Sequence, residues 1–423
     1  MKNEFDHTIL LLQGGGALGA YQAGAYEGLV EAGLAPDWVV GISIGAFNAA
    51  LIAGNPPERR VERLREFWRR VSSHAPLIPV PWLDPVRPML NQLSASASIL
   101  FGVPNFFSPR VPAPSFFTPN EGVERLSYYD TTPLRKTLEE LADFDLVNRD
   151  QVRLSLGAVS LRTGQSVYFD NHKTRIGPDH VRASGALPPG LPPVKVDGDY
   201  YWDGGVVSNS PLMYVLENLP RMRALLIQLD IFQRSGDLPE DMDQVLRRNL
   251  DIRFSSRMPL SDEGITKLAE MKAALTRLLA KLPPSFKNDP DVRQLAPVLN
   301  VGEMTIARVT NRGLSHAGYS MDYEFSRATV QELWAAGLED IRRSVTSIKS
   351  MHPTRIGCIA RLYDLPPGGQ SADIGETKTP SLSRKPKPSR RRSRDVTLRS
   401  NPENSPRSKR LARRAGPQPA RLR

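Results

Sequence analysis

The sequence predicts an α/β fold built on a mostly parallel sheet, and three observations predict it. Thr8–Leu12 is a short apolar run, followed at once by a glycine turn and a helical pattern. Trp38–Ile42 is a second such run, followed by a tight turn at Ser43 and another helix start. Ala224–Leu229 is a third, buried in character along its whole length. Apolar runs of strand length, bounded by glycine and separated by helical patterns, indicate βα units whose strands lie side by side with both faces covered.

The elements follow in order. The first strand, Thr8–Leu12, leads to a helix over about Ala17–Ala32, stopped by Gly33. The second strand, Trp38–Ile42, leads to a helix ending near Gly54. Pro57–Ser72 reads as an amphipathic helix with Val61, Leu64, Phe67, Trp68 and Val71 at helical spacing. Ala75–Phe117 reads as a long irregular stretch crowded with proline, carrying Trp82, Phe101, Phe106, Phe107, Phe116 and Phe117. These rings suit either a lid or an apolar, lipid-facing surface, or else packing on the body. Thr132 is expected to cap a helix from Pro133 to about Ala142. Val152–Leu161 and Ser166–Asp170 read as paired strands, and a further strand ends at Trp202-Asp203. Pro211–Leu219 looks helical. After Phe232 the texture is mostly accessory helix, over about 239–251, 261–282 and 327–350, with Met304–Val309 as a strand. The expected organisation is an α/β domain over 1–235 with an irregular, lid-like insertion at 75–118. A mostly helical extension over 236–368 and a disordered basic tail over 369–423 complete it.

The formal charge of +11 over 423 residues is unevenly spread. Residues 371–423 hold 16 Lys+Arg and 4 Asp+Glu, against 40 and 41 in the rest. The body is therefore almost neutral. The tail, rich in Pro, Ser and Arg, has the composition of a disordered segment. Arg390-Arg391-Arg392 and Arg413-Arg414 suit contact with an anionic membrane surface; nucleic acid is a less favoured partner, and a solvated appendage is the plain alternative. The single cysteine, Cys358, rules out an intrachain disulfide. No signal peptide is expected, because Glu4 and Asp6 stand where a cationic segment would. Nor is a transmembrane span expected, because the uncharged stretch Pro88–Pro109 is broken by Pro, Asn and Ser. These features suit a cytoplasmic protein with peripheral membrane contact. The oligomeric state is not readable.

Three motifs carry chemistry. Gly41-Ile42-Ser43-Ile44-Gly45 sits between a strand and a helix, the setting of a nucleophile elbow. Glycines on either side permit the sharp turn, and a helix start favours anionic charge nearby. Gly14-Gly15-Gly16-Ala17-Leu18-Gly19 follows the first strand directly. Gly14, Gly16 and Gly19 match a dinucleotide fingerprint. That use needs an acidic residue at the end of the second strand, where this chain has Gly41-Ile42-Ser43, with Asp37 ahead of the strand. The other use is an oxyanion hole, in which glycine N–H groups at a helix start converge on one spot. Adjacent parallel strands would place both loops at one sheet edge. The third motif is Asp203-Gly204-Gly205 at the end of a strand. None of the six histidines has such a setting, so a Ser43–Asp203 dyad is inferred. His172, His180 and His316 show no metal-ligand spacing, and neither metal nor cofactor is expected.

Glycine loop, Gly-x-Ser-x-Gly and Asp-Gly-Gly, in that order, resemble the patatin-like phospholipase family, over roughly residues 8–230. The resemblance implies a three-layer α/β/α sandwich and a lipid acyl hydrolase with a Ser–Asp dyad and no metal. Ser43 would be the nucleophile, Asp203 the group that accepts its proton, and Gly14, Gly15 and Gly16 the oxyanion donors; Gly19, Gly41, Gly45, Gly204 and Gly205 complete the motifs. Ala183-Ser184-Gly185-Ala186-Leu187-Pro188 also resembles a family segment ahead of the aspartate. Leu18 departs from the Arg or Lys of many relatives, and the helical region after residue 235 resembles an extension found in a bacterial subgroup. Two other readings stay open. One is an α/β-hydrolase-type esterase whose triad would use His316 or His352. The other is a membrane-associated scaffold without turnover.

Overall fold

The computed structural model describes residues 5–72, 86–112, 122–219, 222–255, 262–299, 303–313, 318–353, 360–365 and 372–373. In chain order the strands are β1 (His7–Leu12), β2 (Trp38–Ile42), β3 (Ser108–Pro109), β4 (Tyr129–Asp130), β5 (Arg153–Ser160), β6 (Ser166–Asp170), β7 (Val194–Val196), β8 (Asp199–Asp203), β9 (Arg223–Asp230), β10 (Glu303–Thr310), β11 (Ala360–Leu365) and β12 (Ala372–Asp373). The helices are α1 (Gly19–Glu31), α2 (Ile44–Ala53), α3 (Arg60–Val71), α4 (Arg87–Phe101), α5 (Thr132–Leu141), α6 (Phe144–Val147), α7 (Pro178–Ser184), α8 (Leu212–Asn218), α9 (Met242–Phe254), α10 (Asp262–Leu279), α11 (Pro290–Leu299) and α12 (Arg327–Lys349).

Among the described residues ten strands form one sheet, in the order β12-β11-β10-β9-β1-β2-β5-β8-β7, with β6 also on β5. The six strands from β11 to β5 along this path are parallel, and β12, β6, β8 and β7 run antiparallel to their neighbours. Successive side chains of a strand point to opposite faces, and the burial follows that rule. Leu10 and Leu12 of β1 join one core, against α1, α2, α3 and α12. Ile9 and Leu11 join the other, against Leu212, Val215 and Leu219 from and just after α8. Both faces are covered, so the architecture is a three-layer α/β/α sandwich. Each fully buried Leu or Ile contributes about 1.5–3 kcal/mol relative to exposure. The side chains of Leu64, Phe67, Trp68 and Val71 on α3 are buried as their spacing predicts.

The structure differs from expectation in several places. The first helix opens with a 3-10 turn at Gly16–Leu18, tightening the glycine loop. Thr132 is the first residue of α5 and not its cap; Thr131 holds the cap position without a side-chain bond, and the Asp130 carboxylate accepts the Thr132 N–H at 3.2 Å. Within the stretch read as irregular lies α4, which has a proline in its first turn, where that residue fits. Phe106 and Phe107 pack into the core while Phe101 stays exposed. The segment after residue 235 adds β10, β11 and β12 to the central sheet and sets α12 along α1. Trp82, Phe116, Phe117, His316, Cys358 and the tail beyond 373 lie outside the described residues. All described residues fall within one compact unit, Met1–Thr377.

Candidate active site

Ser43 leaves the end of β2 with φ 55 and ψ −126. A non-glycine residue held there costs on the order of 1–3 kcal/mol and needs firm support. The Ser43 N–H donates to both the carbonyl and the hydroxyl oxygen of Ser184, each at 3.1 Å. The Ser184 hydroxyl donates in turn to the Gly157 carbonyl at 2.6 Å. The Ala46 N–H closes the turn on the Ser43 carbonyl at 2.8 Å. Ser184 belongs to the Ala183–Pro188 segment singled out in the sequence.

Asp203 arrives at the same place through register. On β5, Gly157 pairs with Ile42 of β2, and the next residue, Ala158, pairs with Asp203 of β8. Because β6 occupies the other edge of β5 at both positions, β8 meets the end of β2 head-on along one edge. The Asp203 side chain is buried, at 1% exposure for the residue. Its Oδ1 accepts the Gly205 N–H at 2.7 Å, and the Ser43 side chain lies near enough to favour the charged carboxylate. Burial pushes this carboxyl up to about 7, the neighbouring Ser43 side chain and the Gly205 N–H opposing the rise.

The glycine turn runs directly against Ser43, since a Cβ built on Gly14 would stand 2.7 Å from the serine Cβ. The expectation of three free donors needs one correction. The Gly14 N–H is already engaged, donating to Asn209 Oδ1 at 2.9 Å, while Asn209 Nδ2 donates to the Gly14 carbonyl at 2.9 Å and to the Phe254 carbonyl at 3.0 Å. Gly14 is therefore a fastening point. Gly15 and Gly16 are partly exposed and line the cleft. Gly16 has φ +55, and a Cβ there would lie 2.1 Å from the Asp322 carbonyl oxygen, so only glycine fits. Gly205 also lines the cleft. Gly19, Gly41, Gly45 and Gly204 shape the turns behind it. Leu18 is buried and turns toward a neighbouring hollow instead.

Away from Ser43 the cleft is apolar and aromatic, with Phe47, Phe106, Phe107, Tyr129, Leu191 and Phe325 among its walls. It encloses about 790 Å³, part of it open to solvent. Phe106 meets Phe47 and Phe325 edge-on at centroid distances of 5.6 and 5.7 Å. Sequence reasoning missed Asn209, Phe254, Phe325 and a second carboxyl, Asp322, at this site. Burial pushes Asp322 up to about 6, held lower than burial alone would set it by its own N–H and that of Tyr323. No histidine lines the cleft among the described residues.

A profile described as Patatin-like phospholipase matches residues 10–216, and one described as Patatin phospholipase matches residues 252–355. Together they cover most of the chain. The chain belongs to the patatin-like phospholipase family. The first match takes in Ser43, Asp203 and the glycine turn; the second spans Asp322, Phe325 and all of α12. The domain of this patatin-like phospholipase is that of a lipid hydrolase. Among solved structures, VipD from Legionella pneumophila is similar at 16% identity over 82% of this chain and 68% of that one, with a TM-score of 0.34. Human GIVD cytosolic phospholipase A2 is similar at 11% identity over 82% and 60%, with a TM-score of 0.39. The type III effector ExoU is similar at 13% identity over 82% and 54%, with a TM-score of 0.29. The chain thus spans less than two thirds of the length of the last two. No curated protein matches it. Among the described residues no helix is long and apolar enough to cross a membrane.

Proposed function

We propose that this patatin-like phospholipase cleaves lipid esters through a Ser43–Asp203 dyad and an acyl-enzyme. The Ser43 hydroxyl oxygen attacks the ester carbonyl carbon while its proton passes to the Asp203 carboxylate. The negative charge that develops on the carbonyl oxygen is met by the N–H groups of Gly15 and Gly16, held in place through Asn209. The carbon–oxygen bond to the leaving alcohol breaks, and Asp203 returns its proton to that oxygen. Water then attacks the acyl-serine as Asp203 accepts its proton, the carbon–oxygen bond to Ser43 breaks, Asp203 returns the proton to the serine oxygen, and the fatty acid leaves. The apolar cleft around Phe47, Phe106 and Phe325 takes the acyl chain.

The observation that carries this reading is a buried carboxyl in the same cleft as a serine held in left-handed backbone, close enough for the serine to favour its charged form. In water an aspartate is too weak a base, with a reference pKa of about 3.9. Raised toward 7, Asp203 matches the pH at which it must both accept and return a proton. Labelling by a fluorophosphonate probe tests the assignment. The unaltered protein labels, and Ser43→Ala does not. Asp203→Asn labels at least about a hundredfold more slowly. Equal labelling of Ser43→Ala and the unaltered protein would overturn it. The basic tail adds a membrane contact through its 16 Lys+Arg, worth about 1 kcal/mol per charge near an anionic surface. Removing residues 371–423 then weakens binding to anionic vesicles, and unchanged binding rejects that role.

A further inference from the structure

We propose that the outward face of α4 is the surface by which this protein docks on a lipid bilayer. The proposal rests on the lipid-ester reading of the Ser43 cleft. Helix α4 is amphipathic in the reverse sense. The residues it turns into the protein are Arg87, Asn91, Ser94, Ala95 and Ser98, all buried. Those it turns outward include Met89 at 63% exposure, Leu93 at 57%, Leu100 at 66% and Phe101 at 78%. Met89, Leu93 and Leu100 fall on one helical stripe, with Phe101 at its margin.

The inward polar groups have partners. Arg87 Nε donates to Asn91 Oδ1 at 3.0 Å, and its Nη2 donates to Glu332 Oε1 at 3.1 Å. Ser98 Oγ donates to the Ser94 carbonyl at 3.1 Å. The protein therefore satisfies the polar side, and the apolar side is left for something other than water.

Charge and position identify the occupant. Residues 88–109 contain no Asp, Glu, Lys or Arg. A partner protein is selected by charges and hydrogen-bonding groups around an apolar centre. Along α4 the stripe is edged by neutral groups such as Gln92 and Ser96, while Asp241, Asp243 and Arg247 meet it at the Met89 end; an apolar stripe uncharged along most of its length fits the boundary between headgroups and acyl chains. Helix α4 is also tied to the wall of the cleft. The Ile99 carbonyl accepts the Tyr129 hydroxyl at 2.6 Å, and the turn after α4 carries Phe106 and Phe107. All three rings line the cleft. One helix and its turn thus carry the apolar surface on one side and the wall of the acyl site on the other.

The test uses the full chain with Leu93→Asp and Leu100→Asp together, both exposed positions that leave the core intact. Binding is read by pelleting with phosphatidylcholine vesicles in about 1 M sodium chloride, where the Debye length is about 3 Å and the tail's charges are screened. The Ser43→Ala background keeps the lipid unconsumed. The double variant should pellet about tenfold more weakly than its parent. With Ser43 restored, it should hydrolyse a water-soluble butyrate ester at the rate of the unaltered protein. Equal pelleting with and without the two aspartates overturns the proposal, as does failure of the parent to pellet at all. So does a dimer in solution that the two aspartates split while pelleting stays the same, which would make a second copy the occupant. Pelleting that depends on α4, in a protein with no turnover of the soluble ester, upholds the docking surface and counts against the hydrolase reading alone.

Discussion

The elbow at Ser43 and the seam between α1 and α12 both rely on very close backbone approach, and they use it differently. At the elbow a serine, not a glycine, occupies left-handed backbone, beside a buried carboxyl that would be more stable in water. Along the seam the close approach is made by glycines in ordinary helical backbone. A Cβ on Gly24 would stand 1.9 Å from the Trp334 carbonyl oxygen, and one on Gly337 would stand 2.0 Å from that of Tyr21. The polar groups flanking the seam are paired. Tyr21 OH donates to Asp340 at 2.8 Å, Trp334 Nε1 to Glu27 at 2.6 Å, and Arg342 to Glu31 at 2.9 Å. At the elbow a strained backbone meets a fully buried acid, whereas at the seam the helical backbone is ordinary and the partly buried acid, Asp340, is held by a Tyr21 hydrogen bond. Substitutions at the elbow should therefore reduce turnover more than stability, and substitutions at the seam the reverse.

Asn209→Ala should give the largest effect, and it sharpens the elbow side of the comparison. Asn209 fastens Gly14 through both its N–H and its carbonyl. Without that anchor the Gly15 and Gly16 donors are free to drift from the oxyanion position. Loss of one such donor typically lowers kcat by about 10²–10³. The expected result is a kcat fall of about a hundredfold on a soluble ester with KM within about threefold, because Asn209 holds donors used in the transition state. A matched rise in KM with kcat unchanged would show that Asn209 serves substrate binding instead.

Gly337→Ala breaks the seam. Alanine is favoured over glycine in a helix by about 1 kcal/mol, so propensity alone predicts stabilisation. The clash with the Tyr21 carbonyl reverses the sign, since overpacking typically costs about 1–3 kcal/mol and here the obstacle is backbone. A net loss of about 2 kcal/mol is expected, read as a lower Tm, with the fluorophosphonate labelling rate of the folded protein unchanged. A raised Tm would mean the helices separate freely and the seam is not tightly packed.

What could be read from the chain follows the range of the interactions. Ser43, Asp203 and the glycine turn were legible because each is a local signal: a strand end, a glycine, and a residue that can react. The bounds of β2 and β6 came out of the apolar pattern for the same reason. Asn209 was not legible, because its partner Gly14 lies 195 residues away. Asp322 and Phe325 were hidden similarly. They reach the cleft only because the segment after residue 235 returns to the sheet, and β10 pairs with β9 over a gap no pattern marks. Met304–Val309 could be read as a strand, but its neighbour could not. Helix α4 was missed for a different reason. Its inward face is Arg87, Asn91, Ser94 and Ser98, so a search for an apolar inner stripe finds none.

The pH dependence of Asp203→Asn sharpens the elbow again, now through stability. The folded-state pKa of Asp203, about 7, lies above the value near 3.9 expected when unfolded. Between those values the folded protein binds a proton that the unfolded chain releases. That stabilisation is complete below the unfolded value and is lost as pH rises through 7. An amide has no such proton to lose. From pH 5 to pH 8 the unaltered protein should therefore lose about 2–3 kcal/mol relative to Asp203→Asn. The measurement is the difference in unfolding free energy across that range. A constant difference would place the carboxyl outside the titrating range and remove the physical basis for its role as a base near neutrality. The same ionisation predicts that kcat/KM on a soluble ester rises with pH and levels off above about 7.

Tyr21→Phe is the smallest change and bears on the seam alone. Tyr21 is fully buried on α1, and its hydroxyl donates to the Asp340 carboxylate of α12 at 2.8 Å. Burial raises the Asp340 pKa, and the Tyr21 hydrogen bond holds it down. Removing the hydroxyl leaves the ring packing intact and takes away one hydrogen bond to a charged group, worth about 1.5–3 kcal/mol when fully buried. Asp340 is only partly enclosed, and water replaces some of that bond, so a loss of about 1 kcal/mol is expected. Without its donor, Asp340 titrates higher, which makes the cost of the substitution smaller at pH 5 than at pH 8. Turnover of a soluble ester at 25 °C should stay unchanged, because no part of the Ser43 cleft touches this pair. A drop in kcat of tenfold or more would show that the seam and the elbow are mechanically joined, and the separation of the two regions would fail.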